Sequence, residues 1–412
     1  MPLSHTFTLQ TQVSILSEGI FGYGNGQSGL VPGCFIRMEE AMKDPKEWIE
    51  EIDEEVLKET GIHTAYHKVC GCMTLEDLFT TDAVYCAAHK CSLGFKRRKD
   101  TQAFMKSAML SSYLLAEQVK SGKFKPGYYR ERVIIERGKQ RTIKPPKFES
   151  KVVQKVLCDY LIREIFETRM IETNYASIRG RGTDKMYGDV LKALECVQTN
   201  SKGYSEVIVM TDFKSFFPSI STELLRNLYR KYIRDERIIN LIMSFSPDEF
   251  GLSLGNETSQ VPASFFPSMI DHYFKDRLGI KHYFRYCDDV LFIAENQMQA
   301  DELIELFLDL SGSLKLTVPP QKIKTVQFGE TFSFCKERFV YSRKRKSYYR
   351  LINPAIPQNE SRKLKAFKKK VEAGEMAKEE ALAQYGGVKG MIQHRPNTRN
   401  AVERLDKRAA QI

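Results

Sequence analysis

No stretch of the 412 residues approaches the ~18–20 consecutive apolar positions that a bilayer-spanning helix needs, and the N-terminus lacks a basic region followed by an apolar block. A cytosolic protein without membrane association is the expectation. Internal repeats and low-complexity linkers are missing too, which leaves a folded, enzyme-sized chain of two or three domains with 42% hydrophobic residues. Nine cysteines are dispersed through this length, so reduced thiols are expected and a disulfide framework is not.

Excess charge is missing from most of the chain. The first 342 residues balance at 45 basic against 45 acidic, and the net +11 lies entirely in residues 343–412, with 18 Lys and Arg against 7 Asp and Glu. A basic end of this kind fits a polyanion, because each phosphate neutralised releases condensed counterions. The plainer alternative is a solvated helical surface.

Two adjacent carboxylates, Asp288 and Asp289, interrupt what otherwise reads as one β-hairpin, Tyr286-Cys287-Asp288-Asp289 lying between two apolar runs. Another acidic strand end, Asp212, lies upstream. Like-charged, partly desolvated neighbours are costly unless a cation compensates them, and two Mg²⁺ ions, with Mn²⁺ as a substitute, would do so. The constellation reads as a two-metal polymerase site.

Order along the chain sharpens this. Asp212-Phe213-Lys214-Ser215-Phe216-Phe217, then Gly251-Leu252-Ser253-Leu254-Gly255-Asn256-Glu257-Thr258-Ser259-Gln260, then the Asp288–Asp289 hairpin resemble motifs A, B and C of reverse transcriptases. Gly138-Lys139-Gln140-Arg141 and Tyr175 through Thr183, with Arg179 and Arg181, are similar to the fingers motifs of that family. Lys322, Lys324 and Phe332-Ser333-Phe334-Cys335 fall where motif D and the primer grip would lie. The resemblance covers residues 72–395. Leu254 and Gln260, in place of the usual Gln and Pro of motif B, resemble the diversity-generating retroelement type and its unclassified, defence-associated relatives. The first 70 residues depart from those relatives, as do Pro262 and Pro267 in a segment that usually reads as a smooth helix.

The resemblance implies an α+β right-hand polymerase: an N-terminal extension (1–70), fingers (71–200), a palm with an antiparallel sheet carrying the YxDD hairpin (201–345), and a basic helical thumb (346–412), motif B (251–270) packing between fingers and palm. It implies an RNA-directed DNA polymerase that takes template RNA, RNA/DNA duplex and dNTPs, with a small accessory protein or a cognate non-coding RNA as further partner. Asp212 and Asp288 would bridge the ions, Asp289 would support them, and the Phe213 carbonyl would complete the triphosphate ion. Phe217 would exclude a 2′-hydroxyl, Lys324 or Lys322 would protonate pyrophosphate, and Lys139, Arg141, Arg179, Arg181, Gly255 and Gln260 would contact nucleotide or template. An aliphatic Leu254 offers packing without polar orientation, so error-prone copying is the expectation. A defence effector making templated or untemplated DNA is the alternative role. The chain shows no endonuclease signature and no histidine cluster for RNA hydrolysis.

Helical spacing predicts an amphipathic helix over 44–60, with ten acidic residues against four basic ones between 37 and 60, which fits either a packing helix or a docking face. It predicts further helices over 101–119 and 151–170 around a strand pair in 128–144. Two strands should flank Gly329, and three helices over 360–372, 378–393 and 398–410 should be separated by Gly374, Gly386-Gly387 and Pro396. Neighbouring Phe216 and Phe217 read as strand residues sent to opposite faces. His67, Cys70, Cys72, Cys86, His89 and Cys91 make a zinc site conceivable, yet the spacing is not that of a zinc ribbon, and a helix over 82–90 would point Cys86 and Cys91 apart.

Overall fold

Thr74 opens the first described helix of the computed structural model with a reciprocal capping box, its side chain taking the Asp77 N–H while Asp77 accepts from the Thr74 N–H. The structure describes residues 72–136, 139–200, 205–246, 250–253, 255–395 and 398–412, without the side chains of 132, 134–136, 139–142 and 200. The expected N-terminal extension, the helix over 44–60, His67, Cys70, Gly138 and Leu254 lie outside the described residues. All described residues belong to one compact unit.

Helices α1 (Leu75–Leu78), α2 (Thr81–Ser92), α3 (Lys99–Lys106) and α4 (Ala108–Lys120) lead into an antiparallel pair, β1 (Arg132–Glu136) and β2 (Lys139–Ile143). α5 (Phe148–Leu157) continues through a π turn at Cys158–Ile162 into α6 (Arg163–Phe166). Val152, Val153, Val156, Leu157, Leu161, Ile162 and Phe166 are buried along this length. The helices and strand pair expected here are present, with a break at Ser107 inside the first. Cys86, His89 and Cys91 all lie on α2, as the helix over 82–90 required, and among the described residues no His, Cys, Asp and Glu cluster there could hold a metal.

The next elements are α7 (Thr183–Asn200), β3 (Val207–Asp212), α8 (Phe216–Ser219), α9 (Thr222–Tyr232), α10 (Glu236–Met243), α11 (Glu257–Phe265), α12 (Ser268–His272), β4 (Tyr283–Tyr286), β5 (Asp289–Ala294), α13 (Gln297–Ser313) and β6 (Lys324–Gln327). The four strands form a sheet in the order β4-β5-β3-β6, antiparallel at every pairing for which a register exists. β3 is central and reads apolar on both faces because both are covered. Ile208 and Met210, with Leu291, Ile293 and Phe284, pack toward α7. On the opposite face Phe292 meets Phe274, which in turn meets Phe307 of α13.

One local expectation needs correction. Phe216 and Phe217 sit on the short helix α8, entered through Ser215 at φ 49°, so it is a helical turn and not strand alternation that buries Phe216 and leaves Phe217 half-buried. The motif B segment does not run as one smooth helix: Pro262 lies inside α11, and Pro267 precedes the first residue of α12.

A second sheet, β7 (Phe332–Phe334), β8 (Glu337–Ser342) and β9 (Ser347–Ile352), precedes α14 (Ala355–Glu372), α15 (Lys378–Gln393) and α16 (Arg399–Ala409). These helices share a core of Leu364, Tyr385, Ile392, Leu405 and Ala409 with Ile352 of β9. The three helices expected over 360–410 match within a few residues, but Gly386 and Gly387 lie within α15 and separate nothing. The expected palm–thumb boundary at 345 cuts between β8 and β9, which pair along their full lengths. Among the described residues no helix is long and apolar enough to cross a membrane.

Candidate active site

Register brings the acidic residues together. Asp212, last in β3, lies opposite Asp289, first in β5, and Asp289 lies opposite Tyr286, so Cys287 and Asp288 form a two-residue turn. Residues opposite one another in an antiparallel ladder share a face, so Asp212 and Asp289 emerge side by side at one sheet end. The Phe213 N–H donates to the Asp288 carbonyl at 3.4 Å, tying the turn to the strand that carries Asp212.

The turn itself is strained. Cys287 holds φ 57°, in the left-handed region that favours glycine. Beneath it lies Arg285, fully buried, which donates from Nη1 to the Cys287 carbonyl at 3.0 Å and from Nε and Nη2 to the carboxylate of buried Asp271. Tyr283 donates its hydroxyl to Asp271 at 2.8 Å. Neither Arg285 nor Asp271 was singled out from the sequence. The available signal was a lone arginine in Tyr283-Phe284-Arg285-Tyr286, a strand otherwise aromatic throughout.

Electrostatically the carboxylates are only partly compensated. Burial and the neighbouring Asp288 charge push Asp289 up to about 6, against the lowering contact from Cys335. Burial and the Asp212 charge likewise raise Asp288. Asp212 Oδ2 accepts from Lys322 Nζ at 2.6 Å, while its buried Oδ1 has no hydrogen-bond partner among the described residues. As the side chains stand, no three of them are gathered closely enough to hold an ion. Yet three acidic groups with an orphaned oxygen and a lysine ammonium resting on another are a donor set suited to hard divalent cations.

Other sequence candidates divide. Lys322 reaches the carboxylates, whereas Lys324 stands exposed on β6 opposite Met210. Phe213 is buried and stacked on Phe216 and Phe307. Phe217 accepts at its carbonyl from the Leu252 N–H at 2.9 Å, which joins the α8 turn to the motif B loop. Gly251 in that loop holds φ 97°, and a Cβ there would lie 3.3 Å from the backbone of Pro218, so the approach requires glycine. Gly255 and Gln260 are exposed. Arg181 donates to the carbonyls of Ile171 and Asn174 and braces its own loop, while exposed Arg179 pairs with Asp159 at 3.2 Å. The side chains of Lys139 and Arg141, which alternate along β2, lie outside the described residues.

Between α14 and α16 runs a groove of about 850 Å³ whose lining includes Arg362, Lys365, Arg404, Lys407 and Arg408 and no acidic residue.

A family model described as reverse transcriptase (RNA-dependent DNA polymerase) matches residues 124–369. No curated protein matches the chain.

Proposed function

The chain belongs to the reverse transcriptase family and is an RNA-directed DNA polymerase that takes an RNA template and dNTPs, and on that premise we propose that Asp212, Asp288 and Asp289 hold two divalent ions at the end of the central sheet. The observation that carries this reading is the pairing of Asp212 with Asp289 across the β3–β5 ladder, with Asp288 in the adjoining turn. Enzymes of this family generally use Mg²⁺, which when bound would acidify the primer 3′-hydroxyl and neutralise the triphosphate.

The protein's own contribution is positioning and charge. Asp212 and Asp288 would hold both ions, Asp289 would support them, and the Phe213 carbonyl would complete the ligands of the ion that holds the triphosphate. Lys322, already on Asp212, is displaced toward the leaving group and gives it a proton, with Lys324 as the second candidate. Phe217 lies under the sugar and excludes a 2′-hydroxyl. Lys139 and Arg141, sharing a face of β2, clamp the triphosphate, for which the planar guanidinium is suited. Gly255 and Gln260 flank the nucleotide. The basic groove of the thumb tracks a phosphate backbone.

The biological role we propose is copying of a cognate structured RNA in the manner of diversity-generating retroelements, supported by Leu254 and Gln260 in motif B. Replacing the ligands tests the chemistry. Asp288→Asn combined with Asp289→Asn should abolish dNTP incorporation while leaving RNA affinity within about twofold, since phosphate contacts are made elsewhere. Incorporation by the purified double variant at the wild-type rate would overturn the assignment.

A further inference from the structure

Strands β7 and β8 close through a two-residue turn, because Phe334 and Glu337 lie opposite one another. Both turn residues, Cys335 and Lys336, hold positive φ, 44° and 75°, and neither is glycine. Such backbone persists where its surroundings over-determine it. Here the Tyr187 hydroxyl donates to the Cys335 carbonyl, and buried Glu337, the next residue after the turn, is ion-paired with Arg395 and lies 4.0 Å from Arg350. The turn is thus fixed from α7 on one side and from the thumb on the other. What it presents to the sheet is the Cys335 thiol, which donates to Asp289 Oδ2 at 3.5 Å.

We infer that the Cys335–Lys336 turn braces Asp289, with Cys335 as a positioning residue whose thiol fixes the orientation of that carboxylate. The inference rests on reading the three carboxylates as ion ligands. A carboxylate at a sheet end can rotate about its last bond, and three like charges drive each other apart. A donor on one oxygen of Asp289 directs the other oxygen and lowers the cost of keeping the group ionised beside Asp288. A thiol suits a partly buried position because it packs as a small apolar group, here against the core shared with α7, while still donating weakly. Strain in the turn has a function on this view: relaxation of Cys335 out of the left-handed region would carry the thiol away from Asp289.

The competing role for Cys335 is packing alone, and the two differ in how alanine and serine compare. Mn²⁺ binding to the nucleic-acid-free protein, followed by electron paramagnetic resonance, should weaken roughly 10-fold in Cys335→Ala and stay within about twofold of wild type in Cys335→Ser, which keeps a donor. Primer extension should show kcat falling in the same order with the KM for dNTP unchanged, and thermal unfolding should show both variants folded. Wild-type Mn²⁺ affinity in Cys335→Ala, or an equal loss in both variants, would overturn the brace. Asp289→Asn in the same titration separates the premise from the inference: wild-type affinity there would fault the ligand assignment itself, whereas a loss there beside an unaffected Cys335→Ala would fault only the brace.

Discussion

Arg285 and Asp271 are both inaccessible to solvent and face each other through hydrogen bonds from Nε to Oδ1 at 2.7 Å and from Nη2 to Oδ2 at 2.5 Å, while the same guanidinium supports the Cys287 carbonyl in the acidic turn. Losing one partner of such a pair strands a buried charge, at a cost of about 3–5 kcal/mol. Arg285→Met should therefore lower unfolding stability by that order in urea titration. Arg285→Met with Asp271→Leu should recover most of the stability but little of the polymerase activity, because the turn remains without its donor. Full activity in the double variant would show that the turn needs no support from Arg285.

The proposed sugar choice rests on Phe217. Its ring is half-buried and edge-on to Phe216, and its carbonyl is held by Leu252, so truncation removes the ring without freeing the backbone. Phe217→Ala should lower the preference for dNTP over rNTP by roughly 10- to 100-fold, a clash having been removed. Primer extension with each nucleotide type measures this, and an unchanged ratio would refute the gate.

The thumb groove should announce itself through salt. Arg404→Ala with Arg408→Ala should weaken RNA binding uniformly across sequences and reduce the slope of log affinity against log salt by about 1 for each phosphate that is no longer neutralised. A slope equal to that of the wild type would place the nucleic acid elsewhere.

One histidine gives a pH dependence with a defined sign. Burial alone would lower the pKa of His272, but Asp276 at Nδ1 and the Arg169 carbonyl at Nε2 outweigh it and raise it. Both partners accept, so only the imidazolium satisfies both. A folded-state pKa above the ordinary value of about 6.5 means that this contribution is complete below that value and is lost as pH rises through the folded pKa. Unfolding stability should thus fall more between pH 6 and 9 in the wild type than in His272→Gln, and parallel profiles would refute it.

How much of this was legible depends on whether a feature leaves a local mark. Asp212, Asp288 and Asp289 were, because carboxylates stand out against apolar strands. Their mutual register was not, since pairing depends on contacts nearly eighty residues apart in sequence. Arg285 and Asp271 resemble surface charges until folding buries them. Lys322 and Lys324 are equivalent by spacing, and only the turn before β6 brings Lys322 to Asp212. Gly386 and Gly387 look like a helix break, yet each costs a helix only about 1 kcal/mol relative to alanine. Burial of Tyr385 and Ile392 on the same helix outweighs that.

Glu337 ties the segment after α15 to the small three-stranded sheet. Its carboxylate is shut away from solvent, and of the two cations near it Arg350 lies on β9 and Arg395 just beyond the end of α15. Drawing Arg395 off would leave this buried carboxylate with Arg350, at 4.0 Å, as its remaining cation. On the proposed reading, a pull on the thumb helices would reach the carboxylate of Asp289 through Glu337 and the neighbouring Cys335 turn.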